Sequence, residues 1–598
     1  MVRLTGGQIV VEALAQEGVP YIVGIPGHGT LGLSDALIGQ DRVKVLQVRH
    51  EQAAVHLADG YYRVAGVPLA VYTSIGPGAM NTVIGVASCY VDGIPVLVLT
   101  GNSHTHMAGR GVLQEIERAH DANSLAVFEP IAKRIWRPTS VERLPRTLQR
   151  AFAEMLTGRR GPVVVDLPMD VQCDSADVEL DAPSTYRPIG PVLPEPELIA
   201  QAGRLLAGAE RPAIVAGGGV IAAEAWAELK ALAEHTGAPV VTTMMGKGAF
   251  PEDHPLSAFH AGSKGTTCGN ALTRDADVLL AVGTRFADET TSSYRQGVTY
   301  AIPPTRLIHI DLDPTEIGKN YPVEVGIVAD ARAGLGALVE WLQANDTPRP
   351  YAESPYYAHV KRLREEWLAQ VRALAASDHV PVTISRLIAE LRAFLDRDAI
   401  VLTSSGNVQA QWFQEAMVYE PKTHLTAGGF STMGWTVPAA LGAKLAAPDR
   451  QVMGLVGDGD FLMTSQELAT AVQYDLPVVY VVANNAGWIA IRDLQAAAYG
   501  EERAVGAEFL RGGKPISPDL AALSRAYGCR AERVSAPDEV RPALERAFAA
   551  AKPAVVEVIV ERGYPLSGSP AVGWWDVPVP TYLAERRARY ERERAEER

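Results

Sequence analysis

The chain has 598 residues, of which 47% are hydrophobic and 21% charged, a composition typical of a soluble globular protein with room for three ordinary domains. Its formal net charge of −14 and its pI near 5.5 argue against a nucleic-acid partner, because such a partner requires a basic face. No apolar run reaches the length of a membrane span and the N-terminus lacks the apolar core of a signal peptide, so we expect a cytoplasmic protein without a membrane partner.

The four cysteines are scattered along the chain, at Cys89, Cys173, Cys268 and Cys529. None of them forms a Cys-x-x-Cys pair. Their spacing therefore argues against a zinc site and against a disulfide framework.

The N-terminal part, residues 5–170, alternates helical patterns with short apolar runs that we predict to be strands. These runs lie at 21–25, 43–48, 69–73, 95–100 and 163–167. Such alternation favours a parallel sheet covered by helices on both faces. No Gly-x-Gly-x-x-Gly opens the first helix, so a dinucleotide site there has no support.

A second α/β part follows a proline- and acid-rich segment at 173–196, which we predict to be a linker. Its predicted strands lie at 212–216, 240–243, 278–282 and 306–310. A charged helix at 345–378 then leads to a third part that begins near residue 380, with its first strand at 399–403.

The third part contains the most informative stretch of the sequence. An apolar strand at 452–456 leads into the turn Gly457-Asp458-Gly459, and after a helix at 465–474 a second apolar strand, 478–483, leads into Asn484-Asn485. In a doubly wound sheet both strand ends open at the same edge, which brings together the Asp458 carboxylate and the Asn485 amide, oxygen ligands suited to Mg²⁺ or Ca²⁺. The glycines allow a phosphate to approach the backbone closely. Either motif alone is also an ordinary turn.

Together, Gly457-Asp458-Gly459 and Asn484-Asn485 resemble the fingerprint of thiamine diphosphate (ThDP) enzymes. The resemblance implies that Asp458, Asn485 and the carbonyl of Gly487 hold a Mg²⁺ ion that bridges the cofactor diphosphate. It also implies further cofactor contacts in this part of the chain, at Gly406, Asn407, Met433, Gly457, Gly459, Asp460, Trp488 and Ile489. Met433 is expected to force the bent conformation of the cofactor, although an ordinary core methionine is the alternative.

Motifs in the N-terminal part resemble the pyrimidine-binding domain of the acetohydroxyacid (acetolactate) synthase group. They are Arg49-His50-Glu51-Gln52-Ala53-Ala54, Gly76-Pro77-Gly78-x-x-Asn81 and Asp92-x-Ile94-Pro95. The resemblance implies that Glu51 hydrogen-bonds N1′ of the aminopyrimidine as a catalytic residue, with Gly76 and Asn81 beside the cofactor. Without it, Glu51 is an acidic residue at a helix N-terminus, stabilised by the helix dipole.

Two further catalytic candidates are His28 and Gln114. His28 lies in the loop Gly27-His28-Gly29 after the first strand, where a histidine can shuttle protons, although a loop histidine without a role is the alternative. Gln114 matches the substrate-proximal glutamine of the synthase group. Asn102 stands where that group has a longer glutamine.

The central part resembles the middle domain of the same group, in Gly283-Thr284-Arg285-Phe286 and His309-Ile310-Asp311-Leu312-Asp313 among other segments. Some relatives bind a non-redox FAD there. The chain departs from them at 262–265, where FAD-binding relatives usually carry a Met-His pair, so whether FAD is a cofactor is left open.

The resemblance implies three α/β domains with doubly wound parallel sheets. They are a pyrimidine-binding domain at 1–175, a central domain at 192–345 and a diphosphate-binding domain at 375–570, followed by a charged tail at 571–598. It also implies a homodimer or homotetramer with active sites at the subunit interface.

Three functions were weighed. The first is a ThDP- and Mg²⁺-dependent carboligase that decarboxylates a 2-oxo acid such as pyruvate and joins the remaining fragment to a second carbonyl. The second is a hydrolase that cleaves a C–C bond of a cyclic or polyhydroxylated 1,2-diketone, because the Gly-His-Gly loop and the segments 487–491 and 500–506 resemble the trihydroxycyclohexanedione hydrolases. The third, a non-catalytic scaffold, would need neither Glu51 nor a metal pair. We place the carboligase first.

Overall fold

The computed structural model describes residues 2–118, 123–188, 190–563 and 576–597. Three sheets dominate it, each with six strands that all run parallel. Their strands are rich in Val, Ile and Leu and buried along most of their length, as expected for sheets that are covered by helices on both faces. The predicted fold class is therefore confirmed.

The N-terminal sheet contains the five predicted strands and one that the pattern did not predict. Its spatial order is Lys44–Gln47, Tyr21–Ile25, Ala70–Thr73, Leu97–Asn102, Val163–Pro168 and Arg134–Trp136. Its helices are Gly6–Gln16, Leu31–Ala36, Glu51–Ala65, Pro77–Asn81, Val83–Asp92, Leu144–Leu156 and Met169–Cys173. The strand order reverses beside Tyr21–Ile25, which places a topological switch point between that strand and Ala70–Thr73.

The central sheet has the spatial order Ser257–His260, Val240–Thr242, Pro212–Ala216, Val278–Val282, Arg306–Asp311 and Val325–Val328. Its helices are Pro196–Gly208, Gly218–Ala222, Trp226–Thr236, Thr267–Arg274, Asp288–Thr291 and Ala331–Asn345. The switch point lies between Pro212–Ala216 and Val278–Val282. The first and last strands of this order were not predicted from the sequence.

The C-terminal sheet has the spatial order His424–Thr426, Ile400–Thr403, Val452–Gly457, Val479–Asn484, Ala554–Ile559 and Arg530–Val534. Its switch point lies between Ile400–Thr403 and Val452–Gly457. Its helices are Ile384–Phe394, Asn407–Glu415, Thr436–Ala446, Asp458–Thr464, Glu467–Gln473, Ile489–Tyr499, Leu520–Ala526 and Pro537–Ala549. The turn predicted at 457–459 is wrong in one respect, because a helix begins directly at Asp458.

The N- and C-terminal domains pack together through one helix of each. The backbones of these two helices are in contact where the helices cross. A Cβ atom on Gly60 would lie 2.1 Å from the carbonyl oxygen of Ala439, and one on Gly442 would lie 2.0 Å from that of Leu57. Only glycine permits this approach of helices Glu51–Ala65 and Thr436–Ala446. The position of the Glu51 helix is thus fixed by the C-terminal domain of the same chain.

The predicted linker helix is present as Pro355–Ala375, and the predicted charged tail contains the helix Ala584–Arg594. Residues 564–570 of the predicted third domain, and 571–575 and 598 of the predicted tail, lie outside the described residues. Within the described ranges, every helix is too short or too polar to cross a membrane. These ranges include all four cysteines, and none of the four is in a disulfide.

Candidate active site

Most of the predicted site residues lie at the carboxyl ends of strands beside the switch points of two sheets. In the N-terminal domain His28 follows Tyr21–Ile25, and Gly76 follows Ala70–Thr73. In the C-terminal domain Gly406 follows Ile400–Thr403, and Asp458 follows Val452–Gly457. Ligands of open α/β sheets bind at such edges, so the topology brings these residues to two binding crevices.

Three oxygen atoms converge at the end of the central strands of the C-terminal sheet. The side-chain oxygen of Asn485 lies 3.3 Å from Oδ1 of Asp458 and 3.1 Å from the carbonyl oxygen of Gly487. Without a cation, a flipped amide would be expected, because its nitrogen could donate to both of those oxygens. Oxygen atoms at this separation therefore fit a hard cation such as Mg²⁺.

The Asp458 carboxylate is 1% exposed, and its Oδ2 atom has no hydrogen-bond partner among the described residues. Burial raises the pKa of Asp458 to about 6, against the opposing effect of nearby backbone N–H groups. Across the described part of the chain, no group of three or more His, Cys, Asp or Glu side chains is placed to hold a metal. A cation at Asp458 would therefore complete its shell with amide, carbonyl and phosphate oxygens.

The loop that carries Asn485 is held from three sides. The Asn484 side chain donates to Glu557 Oε1 at 2.7 Å and accepts from the backbone N–H of Ala486 at 3.1 Å, which makes Asn484 the structural member of the pair. Arg562 Nε donates to the carbonyl of Asn485 at 2.9 Å, and the backbone N–H of Trp488 donates to Ala507 at 2.7 Å. Neither Glu557 nor Arg562 was predicted, because they come from distant segments.

Glycines leave room for a ligand beside the cation site. A Cβ atom on Gly406, which has a φ of +97°, or on Gly457 would meet no atom of the described chain within 4 Å. Asn407 begins the nine-residue helix Asn407–Glu415, and its buried Nδ2 atom has no partner among the described residues. An open pocket with an unpaired donor and a helix N-terminus fits a diphosphate. The residues that are present thus fit ThDP together with its metal.

Gly459 is different, because Trp488 packs directly against it. A Cβ atom there would lie 2.1 Å from the indole ring of Trp488, whose other contact is an edge-to-face packing on Phe509, with 5.3 Å between the ring centres. Ile489, which follows Trp488, is buried in the same region. Gly459 therefore makes room for the Trp488 ring next to Asp458.

Asp460, predicted to contact the cofactor, has both carboxylate oxygens in hydrogen bonds within the protein. Its Oδ2 atom accepts from the Ser404 hydroxyl, and its Oδ1 atom accepts from the backbone N–H of Gly434. Burial raises the pKa of Asp460 to about 6, and these two bonds oppose the shift. The geometry favours a supporting role, in which Asp460 fixes the loop that carries the half-buried Met433.

Glu51 is the first residue of helix Glu51–Ala65 and is half-buried. Its Oε2 atom accepts a hydrogen bond from the Asn81 amide at 2.9 Å. Its Oε1 atom lies 3.1 Å from the position that a Cβ atom on Gly78 would take, and the Thr73 hydroxyl lies 2.4 Å from the same position. The His50 ring caps the helix by accepting from the backbone N–H of Gln52 at 3.2 Å. The structure thus brings together the side chains of Glu51 and Asn81.

The loop that carries Gln114 lies over Gly76. The carbonyl oxygen of Gln114, a residue with a φ of +68°, would lie 2.0 Å from a Cβ atom on Gly76, and the Gln114 side chain is exposed. Glu115 holds this loop by accepting from the Ser103 hydroxyl at 2.9 Å and from the backbone N–H of Gly109 at 2.9 Å. His28 is half-buried, and its Nε2 atom has no partner in the described part of the chain.

Two polar side chains, those of Asn102 at the end of strand Leu97–Asn102 and of Arg492 in helix Ile489–Tyr499, are paired within the protein. Asn102 is 4% exposed, and its amide group bonds to Asp166 and to the backbone N–H of Ser103. Arg492 donates to Asp493 Oδ1 at 2.6 Å and to the carbonyl of Arg562. These bonds hold both side chains within the protein, and a place for either of them in the substrate pocket stays a prediction.

In the central domain, Arg285 is bonded to the other two domains. It donates to the carbonyl of Val91 at 3.4 Å and to that of Gly429 at 3.1 Å. Asp311 ends its strand half-buried, and burial raises its pKa to about 6. These contacts give the arginine an interdomain role, and FAD binding stays an open prediction.

Comparison with known proteins covers all three domains. The chain matches the family models described as thiamine pyrophosphate enzyme, N-terminal TPP binding domain, at residues 4–124, central domain at 199–338, and C-terminal TPP binding domain at 404–558.

Similar proteins match over nearly the whole chain. A probable acetolactate synthase large subunit of Methanocaldococcus jannaschii is 37% identical, covering 95% of this chain and 94% of the relative. The acetolactate synthase large subunit of Corynebacterium glutamicum is 37% identical, covering 93% and 87%. The acetolactate synthase isozyme 3 large subunit of Escherichia coli is 33% identical, covering 92% and 93%.

Proposed function

The chain belongs to the thiamine pyrophosphate enzyme family, in the group of the acetolactate synthase large subunits, and from this premise we propose that it is a Mg²⁺-dependent carboligase. The proposed reaction decarboxylates a 2-oxo acid such as pyruvate and joins the remaining fragment to a second carbonyl compound. The observation that carries the proposal is the convergence of oxygens from Asp458, Asn485 and Gly487 beside the open glycine pocket.

Each part of the site has a role in this proposal. Bound ThDP would supply the electron sink that decarboxylation of a 2-oxo acid requires. Asp458, Asn485 and the Gly487 carbonyl would hold the metal, and Asn407 and Gly457 would receive the diphosphate. Glu51 would hold a proton at N1′ of the pyrimidine through Oε1, while the bond from Asn81 to Oε2 fixes the orientation of the carboxylate.

A second candidate is hydrolytic C–C cleavage of a diketone. One observation favours it: His28 follows a strand beside the switch point of the pyrimidine-binding domain, and its Nε2 atom has no partner in the described ranges, so it is free to hold a water molecule. The two candidates use Glu51, Asp458 and Asn485 in the same way. They differ in what His28 and Gln114 do near the substrate.

We also propose a homodimer or homotetramer. Three large apolar side chains are exposed close in sequence to His28 and Gln114: Leu31 (63%), Leu113 (74%) and Ile116 (46%). A second copy of the chain would cover them, which supports active sites at the subunit interface. The cytoplasmic location stays a prediction.

The reaction is tested by incubating the purified chain with ThDP, Mg²⁺ and pyruvate, and by following CO₂ and acetolactate together. Comparable rates of both products support the carboligase. ThDP binding without either product would contradict it for pyruvate, and opening of a cyclic diketone by water to an acid that carries an aldehyde group would then support the hydrolase. The visible absorbance of the purified chain reports in the same sample whether a flavin is bound.

A further inference from the structure

The segment that leads to Glu51 is held by the C-terminal domain of the same chain. Strand Lys44–Gln47 ends two residues before Arg49, and the helix begins two residues after it. The backbone N–H of Arg49, in this gap, donates to both oxygens of the Glu467 carboxylate, at 3.0 and 3.2 Å. Glu467 is fully buried and also accepts from the Thr470 hydroxyl at 2.7 Å.

Further contacts from the C-terminal domain hold the segment that leads to Glu51. The backbone N–H of Gln47 donates to the Tyr474 hydroxyl at 2.7 Å. The Arg49 guanidinium donates to the Gln473 side chain at 2.6 Å, and the Gln473 amide donates to the Gln47 side chain at 3.2 Å. Only the Glu467 contact combines a buried charge with a backbone N–H two residues from Glu51. Bonds from N–H groups to a carboxylate are stronger than those between neutral groups.

We propose that Glu467 is a positioning residue for Glu51, which sets the turn from which the Glu51 carboxylate reaches the cofactor. This inference rests on the role of Glu51 in the proposed function. Glu467 lies nine positions after Asp458, at the start of the helix that follows the Asp458 helix. It therefore ties the turn before Glu51 to the domain that carries the metal residues.

Burial raises the pKa of Glu467 to about 7 and is the largest cause of the shift. The groups that face its carboxylate are the backbone N–H groups of Arg49 and His50 and the Arg49 guanidinium from the N-terminal domain, with Thr470 on its own helix and Tyr480 on the adjacent strand. Protonation replaces an accepting oxygen by a donor. It thereby weakens the hydrogen bonds that Glu467 accepts from the Arg49 N–H group.

The test compares Glu467→Ala and Glu467→Gln with a matched control. Glu415→Gln changes a carboxylate that accepts from Ser385 and Gln411 of its own domain. Hydrogen–deuterium exchange of the apo protein is measured over residues 44–56. We expect faster exchange in Glu467→Ala, nearly normal exchange in Glu467→Gln, whose amide oxygen still accepts, and no change in Glu415→Gln. Unchanged exchange in Glu467→Ala would overturn the inference.

Kinetics give the second readout, with the holoenzyme at saturating ThDP and Mg²⁺. A displacement of Glu51 by about 1 Å is expected to lower kcat about 10- to 100-fold in Glu467→Ala, with little change in KM for pyruvate. Glu467→Gln should keep most of kcat. In this variant the pH at which kcat falls on the acid side should differ from that of the wild type.

If Glu467→Ala does not fold, the pH profile of Glu467→Gln decides. The inference is overturned if kcat falls at the same acidic pH in Glu467→Gln as in the wild type. Absent turnover in the wild-type chain would count against the proposed function instead. The exchange result would still decide whether Glu467 holds the turn.

Discussion

The side-chain oxygen of Asn485 lies 3.3 Å from Oδ1 of Asp458, although the two residues follow different strands. The strands Val452–Gly457 and Val479–Asn484 are adjacent and parallel, so their ends meet at one edge of the sheet. The contact is one between two acceptors. A cation between the oxygens resolves this conflict, as does a flip of the amide, whose nitrogen would then donate to Asp458 and to Gly487.

Asp458→Ala is expected to abolish Mg²⁺-dependent ThDP binding. Loss of the single carboxylate ligand should raise the Kd for ThDP by at least about 100-fold, since the loss of a mere outer-shell partner costs 10- to 100-fold. Titration calorimetry with Mg²⁺ and with EDTA measures it. Asp538→Asn, at an exposed helix start in the same domain, is the control. Tight binding by Asp458→Ala in EDTA would refute the metal site.

Gly457→Ala and Gly459→Ala should separate binding from stability. The new methyl group at Gly457 meets open space, so the apo protein should keep its stability and lose affinity for ThDP. The methyl group at Gly459 meets the Trp488 ring, so the apo protein should lose about 1–3 kcal/mol of stability. Urea unfolding and ThDP titration of both variants check this. Equal stability of the two variants would contradict the packing described.

Glu467 should make stability depend on pH. Its pKa is raised in the folded state, from 4.5 to about 7, so its stabilising contribution is complete below about pH 4.5 and is lost as the pH rises through about 7. A shift of this size corresponds to about 3 kcal/mol at most. The free energy of unfolding of Glu467→Gln, relative to the wild type, should therefore rise between about pH 5 and about pH 8. A difference that is independent of pH would show that the pKa is not raised.

Lys247 should be essential to the contact between the central and C-terminal domains. It is 1% exposed and donates to Glu252 at 2.8 Å and to the carbonyl of Ala416 at 2.8 Å. It also donates to the carbonyl of Phe413 at 3.1 Å and to His260 Nε2 at 2.8 Å, and burial lowers the pKa of His260 to about 4, which leaves the ring neutral and able to accept.

Lys247→Met should cost about 3–5 kcal/mol of unfolding free energy, because the buried Glu252 carboxylate loses its lysine partner and keeps only the Val418 N–H group and the His260 ring. The double variant Lys247→Met, Glu252→Gln should recover part of this loss. Urea unfolding measures both. A double variant less stable than the single one would contradict the explanation.

Much of the fold could be predicted because long apolar strands alternate with helices. The strands that the pattern did not reveal are mostly short or mixed: Arg134–Trp136 has three residues, and Ser257–His260 begins and ends with a polar residue. Their places in the sheets depend on neighbouring strands rather than on their own pattern.

The candidate site could be predicted where each residue directly follows a strand, because adjacent parallel strands bring such residues together, as at Asp458 and Asn485. It could not be predicted where a distant partner decides the direction of a side chain. Asn102 points to Asp166, Asp460 points to Ser404, and Glu467 serves the N-terminal domain. Each of these depends on tertiary contacts that no local pattern records.

The most direct test of the central claim is the rate at which the C2 proton of bound ThDP exchanges with deuterium. We expect fast exchange in the wild-type chain with Mg²⁺. In Glu51→Gln we expect exchange slower by about 100-fold or more, since a positioned general acid–base group contributes about 10²- to 10⁴-fold. ThDP should stay bound in that variant. Equal exchange rates in the two proteins, with ThDP bound to both, would contradict the role of Glu51.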